Sequence, residues 1–353
     1  MKKLLFIDST PGYSPDKKDT KACGGILTSL TIIPRYLAKK GWDVTVSCTH
    51  DKKEKIDGVT YVPFNHNEAI PKWDISIINR NGVTNEIVGY SKSIGAKTVW
   101  WLHDIVDFRY LNDAAYKHVD SIIALSEYCK ESYSQFYDIP PDKFTVIPNG
   151  VDKSVFYPGE YGDRKKYKLI MASALIKGFM PVFDTWTNVK RHFPGASLTI
   201  YGSQKLHGLE DNKIQQAFLD EMETEGATVQ NPIPQSILAD KMRESWVLLM
   251  PNSYPEICSN LLLQAQACGL PVITSNIGSV GEFIENDKTG ILTSHYPHDL
   301  FLWIKKYVES TVRLLKDDDK HKRISEQAPK DVKDWDTIGE MWNEYLSGIA
   351  GKN

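Results

Sequence analysis

The chain has 353 residues, with 42 Lys and Arg against 45 Asp and Glu and a net charge of −3. Such a length exceeds what one hydrophobic core comfortably serves and favours two domains. The balanced charge excludes a global basic field that would draw in nucleic acid or an anionic membrane, although local basic patches remain open. The five cysteines (Cys23, Cys48, Cys129, Cys258, Cys268) are odd in number and lack metal-ligand spacing, so reduced thiols are expected rather than a disulfide framework. The opening MKKLLFIDSTPG is too short an apolar run for a secretory signal, and no later stretch approaches about 18 consecutive apolar residues. A protein without a transmembrane segment is expected, cytoplasmic or peripheral to a membrane.

In chain order, Leu4 to Ile7 reads as a buried parallel strand, and Ser9 to Ala22 as a polar loop. Gly24 and Gly25 then open a helix that spans Ile26 to Lys40 and stops at Gly41. Strand, glycine turn and helix is a geometry that brings backbone N–H groups close to an anion. Short strands follow at Val44 to Cys48, Val59 to Phe64, Ile75 to Asn79, Thr98 to Leu102, Ser121 to Leu125 and Phe144 to Pro148. Helical segments alternate with most of them, which implies βαβ units and a mostly parallel sheet covered on both faces.

Ligands of such sheets bind beyond the carboxyl ends of the strands. His103 and Asp104 stand at one such end, where a carboxylate would orient an acceptor hydroxyl or take its proton and an imidazole would hydrogen-bond a donor sugar. The competing reading makes them a helix-cap pair. Arg80 and Asn81 hold a similar place at another strand end. Asn149-Gly150 is either a cleft contact or an ordinary Asn-Gly turn.

In the second half, Tyr161 to Lys168 has the charged, glycine-bearing composition of a linker, and Leu169 to Ala172 is the next strand. Ser173 to Phe179, with Lys177-Gly178 inside it, turns into a helix that runs through Trp186 to His192. Ala196 to Tyr201 is a strand that ends at Gly202. The richest stretch is Pro251 to Gly290. A polar loop delivers Glu256, Ser259 and Asn260 stand ahead of an apolar run as a helix N-cap signal, and Gly269 sits where that helix would close. The helix start leaves free N–H groups and a partial positive charge suited to phosphate. Glu256 would accept from sugar hydroxyls, and Gln264 lies about two helical turns further on. Leu300 to Leu315 reads as an amphipathic helix, Asp317 to Arg323 as a solvated charge run, and Trp335 onward as a final helix.

The Pro251–Gly290 stretch resembles the donor-site signature of retaining glycosyltransferases of the GT4 type, also called group 1. The signature combines Glu256, a second position separated from it by seven residues, the Gly269-Leu270-Pro271-Val272 segment, and a glycine turn at Gly278 leading to Glu282. The second acidic residue is Gln264 here, a departure from the pattern. The resemblance covers nearly the whole chain and is strongest from Leu169 to Gly290. It implies an α/β GT-B fold, with two Rossmann-like domains facing across a cleft and a C-terminal helix crossing back to the first. The implied domains are 1–158 with 335–353 on the acceptor side, and 159–334 on the donor side.

It further implies Glu256, Lys177, His103 and Asp104 as catalytic groups. Gly24, Gly25, Ser173, Gly178, Gly202, Ser259, Asn260, Gln264 and Glu282 would line the site of a nucleotide sugar such as a UDP- or GDP-sugar. Neither a cofactor nor a metal is expected. An Arg that many members carry a few residues before the lysine is missing. The acceptor class stays open: glycan, lipid-linked sugar, small molecule or modified base. Two rival readings remain at this point: an epimerase of sugar nucleotides on the same fold, and a non-catalytic sugar-nucleotide-binding protein.

Overall fold

The computed structural model describes residues 1–9, 24–64, 72–80, 84–106, 114–202, 211–296 and 298–351. The expected polar loop from Ser9 to Ala22 falls almost wholly outside the described residues, as do Asn81 and the two residues after Gly202. Two compact units form. Among the described residues the first holds 1–9, 26–150 and 335–351, and the second holds 24–25 and 151–334.

The first unit is built on β1 (Lys3–Ile7), α1 (Gly25–Lys39), β2 (Asp43–Cys48), β3 (Glu54–Ile56), β4 (Val59–Pro63), β5 (Ile75–Asn79), α2 (Asn85–Ser93), β6 (Lys97–Trp101), β7 (Ser121–Ala124), α3 (Glu127–Tyr137) and β8 (Phe144–Val146). Their sheet runs β3-β4-β2-β1-β5-β6-β7-β8, parallel throughout except for the β3–β4 edge pair. β1, β5 and β6 are near-continuous apolar runs because helices cover both faces of a parallel sheet. Side chains cap the helices as the sequence allows. Ser126 Oγ accepts from the Cys129 amide at 3.1 Å, and Thr84 Oγ1 accepts from that of Ile87 at 3.2 Å. Each such cap stabilises by about 1 kcal/mol.

The second unit comprises β9 (Lys168–Met171), α4 (Met180–His192), β10 (Ser197–Ile200), α5 (Lys213–Thr224), β11 (Thr228–Val229), α6 (Gln235–Glu244), β12 (Val247–Met250), α7 (Asn260–Ala267), β13 (Val272–Asn276), α8 (Val280–Phe283), β14 (Ile291–Ser294), α9 (Leu300–Lys316) and α10 (Asp318–Gln327). Its sheet is parallel in the order β11-β10-β9-β12-β13-β14. Strand order reverses between β1 and β5 in the first sheet and between β9 and β12 in the second. These switch points open the crevices where doubly wound sheets bind ligands.

The last helix, α11 (Trp335–Ala350), belongs to the first unit. Trp342, 1% exposed, packs its ring 4.7 Å from that of Trp101 and 6.4 Å from that of Phe6. Trp42 Nε1 donates to Asn343 Oδ1 at 3.0 Å, and Tyr36 Oη donates to Glu340 Oε2 at 2.9 Å. A Cβ on Gly339 would come 2.4 Å from the Tyr36 ring, so only glycine lets α11 approach α1 this closely.

The division differs from the sequence expectation, which carried the first domain to residue 158. The first unit stops at Gly150. The Val151 amide donates to the Lys333 carbonyl at 3.1 Å, and Arg243 donates to the Val155 carbonyl at 2.9 Å while its guanidinium lies 4.1 Å over the Tyr157 ring. Those contacts tie 151–158 to the second unit. Nor is Tyr161 to Lys168 a free linker. Arg164, 6% exposed, donates to the carbonyls of Met242, Ser245 and Cys268 at 3.1, 2.9 and 2.5 Å, joining the ends of α6 and α7. The charge run from Asp317 is part of α10, which buries His321 and Ile324.

Candidate active site

Two groups of the expected residues assemble, one in each unit. In the second unit, the chain leaves β9 through Ser173 and makes a single turn, Leu175–Lys177. Gly178 follows at φ +132°, a conformation open to glycine. A Cβ there would lie 2.2 Å from the Pro251 carbonyl oxygen, so the turn is pressed onto the loop that leaves β12. The Lys177 carbonyl accepts from the amides of Ser253 at 2.7 Å and Tyr254 at 3.2 Å. On the other side of that loop, Gly278 at φ +65° lies against Glu256, whose carbonyl accepts from the Ser279 amide at 2.7 Å. Tyr307 of α9 fixes the strand ends beneath. Its hydroxyl accepts from the Met250 amide at 2.9 Å and donates to the Ile273 carbonyl at 2.7 Å.

This grip places Lys177 Nζ 2.7 Å from Glu256 Oε1 and 5.7 Å from the centre of the Tyr254 ring. Glu256 is 5% exposed. A carboxylate so buried is tolerated because a charge-assisted hydrogen bond matches it. Both residues leave adjacent strands at the switch point. Ser259 is the N-cap of α7 but makes no side-chain cap bond, so its first turn is not closed by its own cap. Gln264 is buried within α7, and Gln266 Nε2 donates to the Phe283 carbonyl at 2.8 Å, tying α7 to α8.

Buried polar side-chain atoms in this region without a hydrogen-bond partner among the described residues include Ser173 Oγ, both amide atoms of Asn252, and Ser279 Oγ. An unmatched buried polar group costs about 1–3 kcal/mol, which a ligand or water recovers. Sequence reasoning named Ser173 but passed over Asn252 and Ser279. Neither lies in a pattern that marks it; only burial does. Gly202 is a packing glycine, since a Cβ there would sit 2.6 Å from the Ser173 carbonyl oxygen. Beyond it a pocket of about 510 Å³ opens off the ends of β10 and β11, lined by Asp211, Gln216, Gln230, Asn231 and Ile233 among others. Glu282 is exposed in the first turn of α8. Gly24 and Gly25 lie at the start of α1.

In the first unit, Asp104 is not an open carboxylate. Arg80 holds it through two bonds, Nε to Oδ2 at 2.9 Å and Nη2 to Oδ1 at 3.0 Å. Arg80 itself takes φ +53°, unusual for a side chain of its size. His103 is 8% exposed, and its pKa is pushed down to about 3, by burial first and the Arg80 charge second. It is therefore a neutral imidazole and acts as a hydrogen-bonding group rather than a cation. Asn149 accepts from Ser29 Oγ at 3.1 Å, a buried bond within this unit. Asp8 and Asn79, at the ends of β1 and β5, form a further polar pair that the sequence did not announce.

Two parallel-sheet units, with the last helix belonging to the first, define the GT-B class of glycosyltransferase fold. A sucrose-phosphate synthase from Thermosynechococcus elongatus superposes over 100% of both chains with a TM-score of 0.78 at 15% identity. An Anabaena protein, Alr3699/HepE, solved in complex with UDP and glucose, matches 99% of this chain and 100% of its own with a TM-score of 0.75 at 16% identity. The family model for glycosyl transferases group 1 matches residues 166–317, and that for glycosyltransferase family 4 matches residues 68–155. The chain belongs to these group 1, family 4 glycosyltransferases. Among curated relatives, a D-inositol 3-phosphate glycosyltransferase from Paenarthrobacter aurescens is 30% identical over 46% of this chain and 42% of its own length. The chain spans about half the length of the curated relatives it matches. No helix among the described residues is long and apolar enough to cross a membrane.

Proposed function

We propose that the chain transfers a hexose from a nucleotide sugar to a hydroxyl acceptor, with retention at the anomeric carbon and without a bound metal. The observation that carries this reading is the Lys177–Glu256 pair, 2.7 Å apart at the switch point of the second sheet. When the bond from the anomeric carbon to the diphosphate breaks, its electron pair leaves with the diphosphate. Lys177 supplies the positive charge that such a leaving group needs, a task a divalent cation performs elsewhere. Glu256, freed from Lys177, accepts from the sugar hydroxyls. Ser173, Asn252 and the start of α7 complete the donor's partners, and the pocket beyond Gly202 is large enough for part of a nucleoside. The acceptor oxygen attaches on the face the diphosphate vacates, and its proton passes to the departing phosphate oxygen.

A UDP-sugar is the donor this reading favours, supported by the UDP and glucose bound to the Anabaena neighbour. The cysteines described as free are buried, in keeping with a reducing, cytoplasmic setting. Incubation with UDP-glucose, UDP-N-acetylglucosamine and GDP-mannose, with and without EDTA, tests the proposal. Release of nucleoside diphosphate that EDTA does not change supports it. Epimer formation, or binding without release from any donor, would replace it with another activity, and loss of release in EDTA would remove the metal-free step.

A further inference from the structure

β12 and β13 leave the second sheet side by side, and both lead to Glu256. β12 runs out at Met250 into the loop that bears Glu256, and β13 runs out at Asn276, just ahead of Gly278 and Ser279. Beyond the strands Glu256 and Gly278 pair again as an isolated bridge. Where they meet depends on how the two strands are joined at the point of departure. In the parallel register Leu248 stands beside Val272 and Met250 beside Thr274, and the Leu248 amide donates to the Pro271 carbonyl at 3.0 Å. Evenly spaced parallel bonds put the Met250 amide opposite the Ile273 carbonyl on the last rung.

Tyr307 reaches that rung from α9. Its hydroxyl accepts from the Met250 amide and donates to the Ile273 carbonyl, so one side chain bridges both backbone groups. The side chain is fully buried, and burial holds the phenol well above its ordinary pKa, protonated and able to do both. Its neighbours on the same face of α9 hold it in place. One turn earlier Trp303 Nε1 donates to Ser275 Oγ of β13 at 3.0 Å, and one turn later Thr311 Oγ1 donates back to the Tyr307 carbonyl at 2.9 Å. The turn that carries Lys177 leaves β9 on the other flank of β12, so any shift of the β12 loop alters the 2.7 Å Lys177–Glu256 contact. We propose that Tyr307 is a positioning residue for the transfer: its clasp on the last β12–β13 rung keeps Gly278 against Glu256 and so fixes the Glu256 carboxylate relative to Lys177. This rests on the transferase reading above and adds a buried residue that acts through Glu256.

Tyr307→Phe in the full chain is the test, with Leu314→Ala for comparison. Leu314 is 1% exposed in the core of the second unit and lies about two turns further along α9. Both variants should melt earlier than the native chain. Release of nucleoside diphosphate from the donor that the native chain turns over is then measured well below either melting temperature. Its kcat should fall roughly tenfold in Tyr307→Phe and stay within about twofold in Leu314→Ala, while the nucleoside diphosphate affinity of both stays within about twofold of native. Hydrogen exchange in the peptide across Met250 should rise more in Tyr307→Phe than in Leu314→Ala. A native kcat in Tyr307→Phe, an equal fall in Leu314→Ala, or a matching loss of nucleotide affinity would overturn the proposal. A native chain that releases nucleoside diphosphate from no donor would instead count against the transferase reading. Exchange at Met250 would then decide the clasp alone, and unchanged protection in Tyr307→Phe would overturn it.

Discussion

Gly278 lies across the backbone of Glu256 so closely that a Cβ on it would stand 2.4 Å from the Glu256 carbonyl oxygen and 2.7 Å from its amide nitrogen. Its φ of +65° adds to the constraint. The glycine therefore sets where the Glu256 carboxylate sits relative to Lys177. Gly278→Ala must push that loop away, and a displacement of about 1 Å at a reacting centre can cost on the order of a hundredfold in rate. Turnover should fall at least tenfold, with UDP affinity changed by less than about threefold. Steady-state kinetics beside calorimetry provide the check; equal loss of both would mean general unfolding of the site.

Lys177→Ala should lower turnover far more than nucleoside affinity, because its charge is most useful as the diphosphate departs. Loss of one such preorganised group costs about 3–4 kcal/mol of barrier. Glu256→Gln separates the two roles of the pair. It frees the Lys177 ammonium from its carboxylate partner, so UDP should bind several-fold tighter while sugar transfer collapses. A variant that binds UDP no better would show that the ion pair does not compete with the diphosphate.

Gln264→Glu probes the departure from the family pattern. Gln264 is 8% exposed, so a carboxylate there carries a desolvation cost in the ligand-free protein. When the nucleotide is bound, charge-assisted bonds to ribose hydroxyls should more than offset that cost, by on the order of 1 kcal/mol. The variant should melt earlier than the native chain without ligand, and gain more from UDP than the native chain does. Thermal shift with UDP and with 2′-deoxy-UDP measures it. If removing the 2′-hydroxyl changes nothing in either protein, Gln264 does not hold the ribose.

His321 gives the fold an acid limit. It stacks on Trp246 with ring centroids 3.8 Å apart, donates from Nε2 to the Trp246 carbonyl at 2.7 Å, and takes a bond from the Tyr161 hydroxyl on Nδ1 at 3.0 Å. Burial, the largest cause, pushes its pKa down to about 4. The unfolded chain therefore takes up the proton first, near pH 6.5. The stability from the neutral ring is complete above that pH and is lost as pH falls toward 4, by on the order of 3 kcal/mol. His103, with its pKa near 3, adds a loss of the same sign. Urea unfolding between pH 7 and 4 should show this slope, reduced in His321→Gln; a flat profile would contradict it.

The turns and helix start around Glu256 were legible in the sequence because their signals are local, whereas the approach of Lys177, 79 positions away, was not. Glycine turns, a helix start and a spaced Glu fall within one stretch, and backbone chemistry fixes what they can form. The Asp8–Asn79 pair of the first unit was not legible. The Asp8–Asn79 bond joins residues 71 positions apart, and neither sits in a spaced pattern. The edge strands β3 and β14 escaped notice because three or four residues carry little periodicity. The α10 charge run misled for a different reason: its polar residues face outward while His321 and Ile324 turn inward at helical spacing.

The most direct measurement of the central claim is the anomeric configuration of the first product formed from UDP-glucose, an α-linked donor. Proton NMR, recorded before mutarotation or further reaction, reads it from the coupling of the anomeric proton. The account predicts an α-configured product, formed with native enzyme in EDTA and lost in Lys177→Ala. A β-configured product would contradict the retaining mechanism built on the Lys177–Glu256 pair.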